Sequence, residues 1–228
     1  MLDALFTTVF PLVCPGCGRR GDPVCARCGA ALSRAPSTPP PAGIDAWWAA
    51  FAYEGVAREV VARVKYRGAR AAVPWLADAM VAAMFAARSD GQLAVDVVTW
   101  APTSRDRRRA RGFDPAELLA RAVARQLVAR RLDAHQLVAR RLDDHVDVRC
   151  VGLLDRRTGP PQTGLTGADR RRGPGHVARR ASPPSVLVVD DVATTGATLT
   201  AAALALRAAG ARDVFACTAA RTPPPARP

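Results

Sequence analysis

Residues 186–198 read Val186-Leu187-Val188-Val189-Asp190-Asp191-Val192-Ala193-Thr194-Thr195-Gly196-Ala197-Thr198. Four β-formers run into two acids, and a Thr/Gly loop then opens a helix. An apolar run without polar alternation predicts a strand buried on both faces, as in a parallel sheet. In open sheets of that kind, ligands gather outside the carboxyl ends of the strands. The loop from Ala193 to Thr198 can turn successive backbone N–H groups and the hydroxyls of Thr194, Thr195 and Thr198 toward one phosphate. Gly196 permits close approach, and the helix start at Ala197 and Thr198 adds its positive dipole end. Asp190 and Asp191 repel phosphate; they suit sugar hydroxyls and an Mg2+-organised diphosphate sugar. Neither G-x-x-x-x-G-K-[ST] nor G-x-G-x-x-G occurs, which excludes a P-loop and a dinucleotide fingerprint.

The chain around this stretch repeats its strand-and-helix alternation. A helix over 198–209, closed by Gly210, leads to a last strand over 213–219. Upstream, a strand over 185–190 has a second short apolar run, 95–100, as its counterpart. An Arg-rich loop follows that run, then a helix from about Asp114, with Asp114 and Pro115 as N-cap and first helical residue. A strand over 47–53 precedes a helix over 55–66, with Val56, Val60, Val61 and Val64 on one side. A further helix is expected over 73–88. This alternation predicts an α/β domain with a parallel sheet flanked by helices, from about residue 44 to 221. The Pro-rich residues 36–43 mark a linker before it, and residues 222–228 read as a disordered tail. With 228 residues, 49% apolar, the chain is long enough for one such core and a small appendage.

The appendage carries the other strong signal. Cys14-Pro15-Gly16-Cys17-Gly18 and Cys25-Ala26-Arg27-Cys28-Gly29 are two C-x-x-C-G turns seven residues apart. Two thiolates on such a turn converge on one ion, and four complete a closed tetrahedral site with no open position, which makes a structural Zn2+ the favoured reading. Disulfides, a redox pair and an iron–sulfur centre are the alternatives. The first is disfavoured without an export signal, and a redox C-x-x-C normally stands alone. Cys150 and Cys217 are isolated and read as packing residues. Residues 1–35 thus form a short helix, lined by Leu2, Leu5, Phe6 and Val9, plus the four-cysteine module. The apolar start has Asp3 in place of a basic region and no small-residue cleavage site, so a cytoplasmic protein is expected. No run is long enough to insert into a membrane.

Residues 126–135 (QLVARRLDAH) and 136–145 (QLVARRLDDH) differ only at Ala134 and Asp144. A ten-residue duplication rotates its second copy by about −80° on a helix, so the apolar stripes overlap only in part. A protruding helix extension or a bulging loop is expected. His135 and His145 are then copies of one surface residue, and Arg130, Arg131, Arg140 and Arg141 face water.

The formal charge is +13, from 32 arginines, one lysine and 20 acids. The surplus is regional: residues 101–180 hold 19 arginines against nine acids. That points to an anionic ligand near this segment. Lys65, alone among so many arginines, marks a place where a compact, mobile ammonium is wanted.

The 186–198 stretch resembles the phosphoribosyl pyrophosphate (PRPP) motif of type I phosphoribosyltransferases. Together with the cysteine module, the chain resembles the ComF family, competence-associated phosphoribosyltransferase-like proteins, from about residue 8 to 221. Four further patches carry the resemblance: Tyr53-Glu54-Gly55 with Lys65-Tyr66-Arg67-Gly68; Ala101-Pro102-Thr103-Ser104-Arg105 leading to Arg111-Gly112-Phe113; Arg157-Thr158 with Gln162; and Ala220-Arg221. Residues 169–178 lack the Asn and Phe that the family usually shows there.

The resemblance implies a phosphoribosyltransferase-like domain over 44–221. Asp190 and Asp191 would contact the ribose hydroxyls and serve any catalysis, with Asp191 facing the developing cation. Ala193, Thr194, Thr195, Gly196, Ala197 and Thr198 would hold the 5′-phosphate. Thr103, Ser104 and Arg105 would meet the pyrophosphate with Mg2+, and Lys65 would join them. Residues 156–180 would lie where a mobile cover often sits. The implied activity is transfer of phosphoribosyl to an unknown acceptor, associated with DNA uptake. The alternative is a non-catalytic single-stranded-DNA-binding accessory factor that keeps the fold as sensor or scaffold. Its partners would be single-stranded DNA and the DNA-uptake machinery at the inner face of the membrane.

Overall fold

The computed structural model describes residues 12–87, 95–137, 148–156 and 175–224, with the backbone alone described over 131–137. The expected helix within residues 1–11, most of the second repeat copy, residues 157–174 and the end of the tail lie outside these. So do Arg140, Arg141 and His145, and the side chains of Arg131 and His135.

In chain order the elements are α1 (Ala26–Ala30), β1 (Ala46–Ala52), α2 (Gly55–Tyr66), a 3-10 turn (Arg70–Ala72), α3 (Val73–Ala86) and β2 (Val97–Trp100). Next come α4 (Arg105–Arg111), α5 (Pro115–Leu137), β3 (Arg149–Cys150), β4 (Leu154–Arg156) and β5 (His176–Ala178). The chain closes with β6 (Ser185–Ala193), α6 (Ala197–Ala208) and β7 (Asp213–Arg221). Five strands form one sheet in the order β1-β7-β6-β2-β3, every neighbouring pair parallel. β4 and β5 pair antiparallel as a separate ribbon.

β6 occupies the centre of the sheet, and its residues show why. Val186, Leu187, Val188 and Val189 are all fully buried. Leu187 and Val189 join one core with α2, α3 and α5; Val186 and Val188 join a second core under α6. Side chains alternate across a strand, so an unbroken apolar run fills both layers at once. Each fully buried Val or Leu contributes about 1.5–3 kcal/mol. The α/β class with a parallel sheet flanked by helices is therefore what the sequence led one to expect.

The connections create a crevice. From β6 the chain passes through α6 to β7 on one side, and from β2 it passes through α4 and α5 to β3 on the other. The chain thus leaves β2 and β6 in opposite directions. The gap between their carboxyl ends is the topological switch point, where open α/β sheets bind ligands.

The structure differs from the sequence reading in three places. β6 continues through both acids to Ala193, because Asp190, Val192 and Ala193 still pair with β7 at Thr218, Ala220 and Arg221. The Arg-rich loop is the helix α4, with no buried residue. Ser104 caps it by accepting from Arg107 N–H at 3.4 Å, and Gly112, at φ 75°, ends it. Arg130 does not simply face water: it pairs with Asp78 at 3.2 Å and lies over the Phe85 ring, tying α5 to α3.

The stretch between the cysteine module and β1 is held at several points. Thr38 C=O accepts from Trp47 Nε1 at 3.1 Å, and Gly43 C=O accepts from Arg207 Nε at 2.9 Å. Cys14, Val24, Cys25 and Cys28 belong to the same apolar cluster as Val60, Leu76 and Met80. The cysteine module therefore packs directly on α2 and α3. Among the described residues, no helix is long and apolar enough to cross a membrane.

Candidate functional site

The crevice gathers its residues from distant parts of the chain. β6 brings Asp190 and Asp191, the loop after it brings Thr194–Gly196, the loop after β2 brings Thr103 and Ser104, and the end of α2 brings Lys65. Lys65 Nζ lies 2.9 Å from Asp191 Oδ1, with only 17% and 14% of the two side chains exposed. The lone lysine is thus paired with the second acid. Its flexible ammonium can leave Asp191 for an anion if a sugar or a cation takes the carboxylate.

Asp190 and Asp191 do not share one environment. Side chains alternate along β6, so Asp191 follows Leu187 and Val189 to the α2 side and meets Lys65, while Asp190 turns to the other. Burial raises the Asp190 carboxyl well above the usual carboxylate range, and the Asp191 charge adds to it. The Asp191 N–H, donating to Asp190 Oδ1 at 2.8 Å, and Lys65 offset this in part. Two carboxylates crowded at one strand end, one of them buried, suit a cation or donor hydroxyls.

The two loops are shaped differently. Gly196, at φ 76°, is the N-cap of α6 and supplies no side-chain cap. A Cβ there would meet Pro41 Cγ at 2.8 Å, so the position is closed to other residues by both backbone and neighbour. Thr194 and Thr195 are exposed, and Thr195 Oγ1 accepts from Ala197 N–H at 3.3 Å. Beyond that bond, the start of this twelve-residue helix has no side-chain cap from Gly196, and its N–H groups with the exposed hydroxyls are of the kind that can receive an anion. In the loop after β2, Ser104 uses its hydroxyl to cap α4, and Arg105 is exposed.

Three residues belong to this site that the sequence did not reveal. Asp114, 3% exposed, accepts from Thr103 N–H at 2.9 Å and from Ala116 N–H at 3.1 Å. It caps α5 as expected, and it also ties the loop after β2 to that helix. Burial raises its carboxyl, against the pull of those two N–H donors. Arg156 and His176 face each other in register on the β4–β5 ribbon. Arg156 is close enough to Asp190, Asp114 and Arg107 to feel their charges.

His176 is 8% exposed, and neither ring nitrogen has a hydrogen-bond partner among the described residues. Burial, reinforced by the Arg156 charge, lowers it to about 4 from 6.5; the nearby Pro102 carbonyl offsets this only in part. The folded ring therefore stays neutral where the unfolded ring takes a proton. Its contribution to stability is complete above the unfolded value and is lost as pH falls toward the folded one. Between about pH 7.5 and pH 5, the chain should lose about 2 kcal/mol from this group. Urea midpoints at the two pH values measure it. His176→Phe should remove that part of the dependence, and an unchanged slope would assign it elsewhere.

The sulfurs of Cys14, Cys17, Cys25 and Cys28 all lie within 4.8 Å of one another. Cys17 and Cys25 Sγ are 3.6 Å apart. Tetrahedral thiolates around one metal sit about 3.8 Å apart, given metal–sulfur bonds of about 2.3 Å. The donor set therefore fits a structural metal. Cys25 N–H donates to Cys14 Sγ at 3.4 Å. Burial alone would push the Cys14 thiol up, yet N–H groups of Cys25, Cys17 and Gly16 bring it down to about 6. Burial raises Cys28 to about 12, and the neighbouring sulfurs add to this. Four such thiols need a cation to ionise together. Gly16 is required here: a Cβ would lie 2.7 Å from Cys28 Sγ and 3.0 Å from Val56 Cγ1. Cys217 is buried in the main core, and Cys150 is half-buried with its thiol raised to about 11 by burial.

Compared with models of known protein families and with curated proteins, the chain matches none.

Proposed function

We propose that the crevice binds PRPP with Mg2+, and that the protein is a phosphoribosyltransferase-like member of the ComF family that passes the phosphoribosyl group to an acceptor. The observation that carries this is the end of the central strand: Asp190 and Asp191 stand at the switch point, directly before the Thr194–Thr198 cradle on α6. A cradle for a phosphate next to two acids for hydroxyls matches a sugar phosphate better than a free nucleotide triphosphate. The 5′-phosphate would take the Thr194–Thr198 loop, the ribose hydroxyls the acids, and the pyrophosphate with Mg2+ the Thr103–Arg105 side. As pyrophosphate leaves, Asp191 would face the cationic anomeric carbon, and Arg105 the leaving charge. Zn2+ is the proposed metal of the cysteine site, with a structural role, and the cytoplasm is the proposed location.

Saturating PRPP with Mg2+ should raise the melting temperature, by mass action on the folded state. Asp190→Ala and Asp191→Ala should each abolish the rise. An unchanged melting temperature of the wild-type chain would sink the reading.

One observation favours a second ligand. α4 carries five arginines and buries none of its residues. A basic exposed helix suits single-stranded DNA of the uptake machinery at the inner face of the membrane, with the fold kept as a sensor. Such binding must weaken steeply with salt; binding indifferent to salt would exclude it.

A further inference from the structure

A cavity of about 520 Å3 opens beside the acid pair, lined by Lys65, Tyr66, Gly68, Arg70, Arg107, Ala110, Arg111 and Phe113. That is the size of a small-molecule site. Among the described residues, no acid lines it, and no residue of the Thr194–Thr198 cradle does. It touches the proposed sugar site at one point, Lys65, which bridges to Asp191.

Several arginines elsewhere are neutralised by acids, and Arg221 lies over the Trp47 ring. Arg108 and Arg121 share Glu117, Arg179 has Asp155, and Arg207 has Asp45. In the cavity, two of the four cations lie over rings and converge with the others on one space. Arg111 lies 4.6 Å from the Tyr66 ring centre and donates to its hydroxyl at 3.0 Å. Arg70 lies 4.5 Å from the Phe113 ring centre. Among the described residues, Arg70, Arg107 and Arg111 have no carboxylate partner. Stacking on a ring fixes the plane of a guanidinium, and the N–H groups of Arg70, with those of Arg111 beyond its bond to Tyr66, stay available to an anion. Tyr66 is 68% exposed, a large ring with only the Arg111 guanidinium over it among the described residues.

We infer that this cavity holds the acceptor, and that the acceptor is a planar heteroaromatic carboxylate. The guanidinium forks take the carboxylate, and the stacked rings and guanidinium planes take the flat body. A neutral ring would leave several cations facing one another without a counter-charge. Lys65 links the two ligands: an anion entering the cavity draws the ammonium away from Asp191 and frees that carboxylate for the sugar.

This rests on PRPP binding in the crevice, and the test separates the two. Orotate, nicotinate and quinolinate are titrated calorimetrically into the full-length, metal-loaded chain with and without PRPP and Mg2+. Adenine and hypoxanthine serve as neutral rings. At least one carboxylate should bind about tenfold more tightly than either neutral ring, the discrimination of about one charge-assisted contact. Arg111→Gln and Arg70→Gln should each weaken it about tenfold, and Arg111→Lys should restore only part, since it keeps charge without the fork. Melting temperature and metal content confirm that each variant is folded, and PRPP–Mg2+ binding should persist in them.

Neutral rings binding equally well, or carboxylates indifferent to Arg111 and Arg70, would overturn the inference. So would a failure of every carboxylate to bind at millimolar concentration. Displacement of the carboxylates by inorganic pyrophosphate alone would make the cavity a pyrophosphate subsite. An Arg111-dependent oligo(dT) complex without carboxylate binding would make it a nucleic-acid contact. Carboxylate binding without any PRPP binding would leave the cavity standing and remove the sugar site.

Discussion

If the four-cysteine site holds the proposed structural metal, stripping it should unfold more than the N-terminal module. Cys14, Cys25 and Cys28 share one core cluster with Val60, Val64, Leu76 and Met80 of α2 and α3. Val56 Cγ1 lies 3.0 Å from where a Gly16 Cβ would be, so the cysteine turn and α2 are in close contact. Without a cation, four sulfurs within 4.8 Å either repel as thiolates or hold buried protons. Structural zinc contributes on the order of 10 kcal/mol in isolated fingers. Here a loss of about 5 kcal/mol or more is expected, which lowers the melting temperature by about 10–20 °C. Chelator titration followed by circular dichroism and metal analysis checks this, with one metal released per chain. Cys28→Ser and Gly16→Val should reproduce it without chelator. A chelated chain that melts unchanged would leave the four thiols without a structural role.

The second large effect has opposite signs in the free and bound protein. The Asp190 carboxyl is raised by burial and by the Asp191 charge. A carboxylate raised in the folded state costs stability above its unfolded value, and the cost grows as pH rises toward the folded one. Asp190→Asn keeps the shape and removes that charge. The free variant should therefore melt at a higher temperature than wild type near neutral pH. At the same time it should lose the ligand, because an amide offers no carboxylate to Mg2+ or to the ribose hydroxyls. A stabilised but non-binding variant marks a strained functional group, while a residue kept for the fold alone would destabilise when changed.

What the sequence made legible follows physical rules. β6 could be read because an unbroken run of four β-formers has few other homes, and the acids that end the strand and the Thr/Gly loop after it then have a fixed place. The cysteine pairs could be read because metal ligation demands their spacing. α4 was hidden: seven residues with five arginines have no apolar stripe, and only Ser104 and Gly112, its two caps, signalled a helix. The β4–β5 ribbon was hidden too, since three-residue strands have no measurable period. With it went Arg156 and His176, which reach the site only through the register of that ribbon. Lys65 was picked out by its rarity, yet its pairing with Asp191 depends on how α2 packs on the sheet. Contacts of that kind belong to tertiary structure and leave no local trace.

The most direct test is a calorimetric titration of PRPP into the metal-loaded chain, with and without Mg2+, repeated on Asp190→Asn. Saturable binding of one PRPP per chain is expected, dependent on Mg2+ and weakened about hundredfold or more by the substitution, the value of one or two contacts to a charged group. Absence of binding by the wild-type chain, or binding that the Asp190→Asn chain retains in full, would contradict a PRPP site at the carboxyl end of β6.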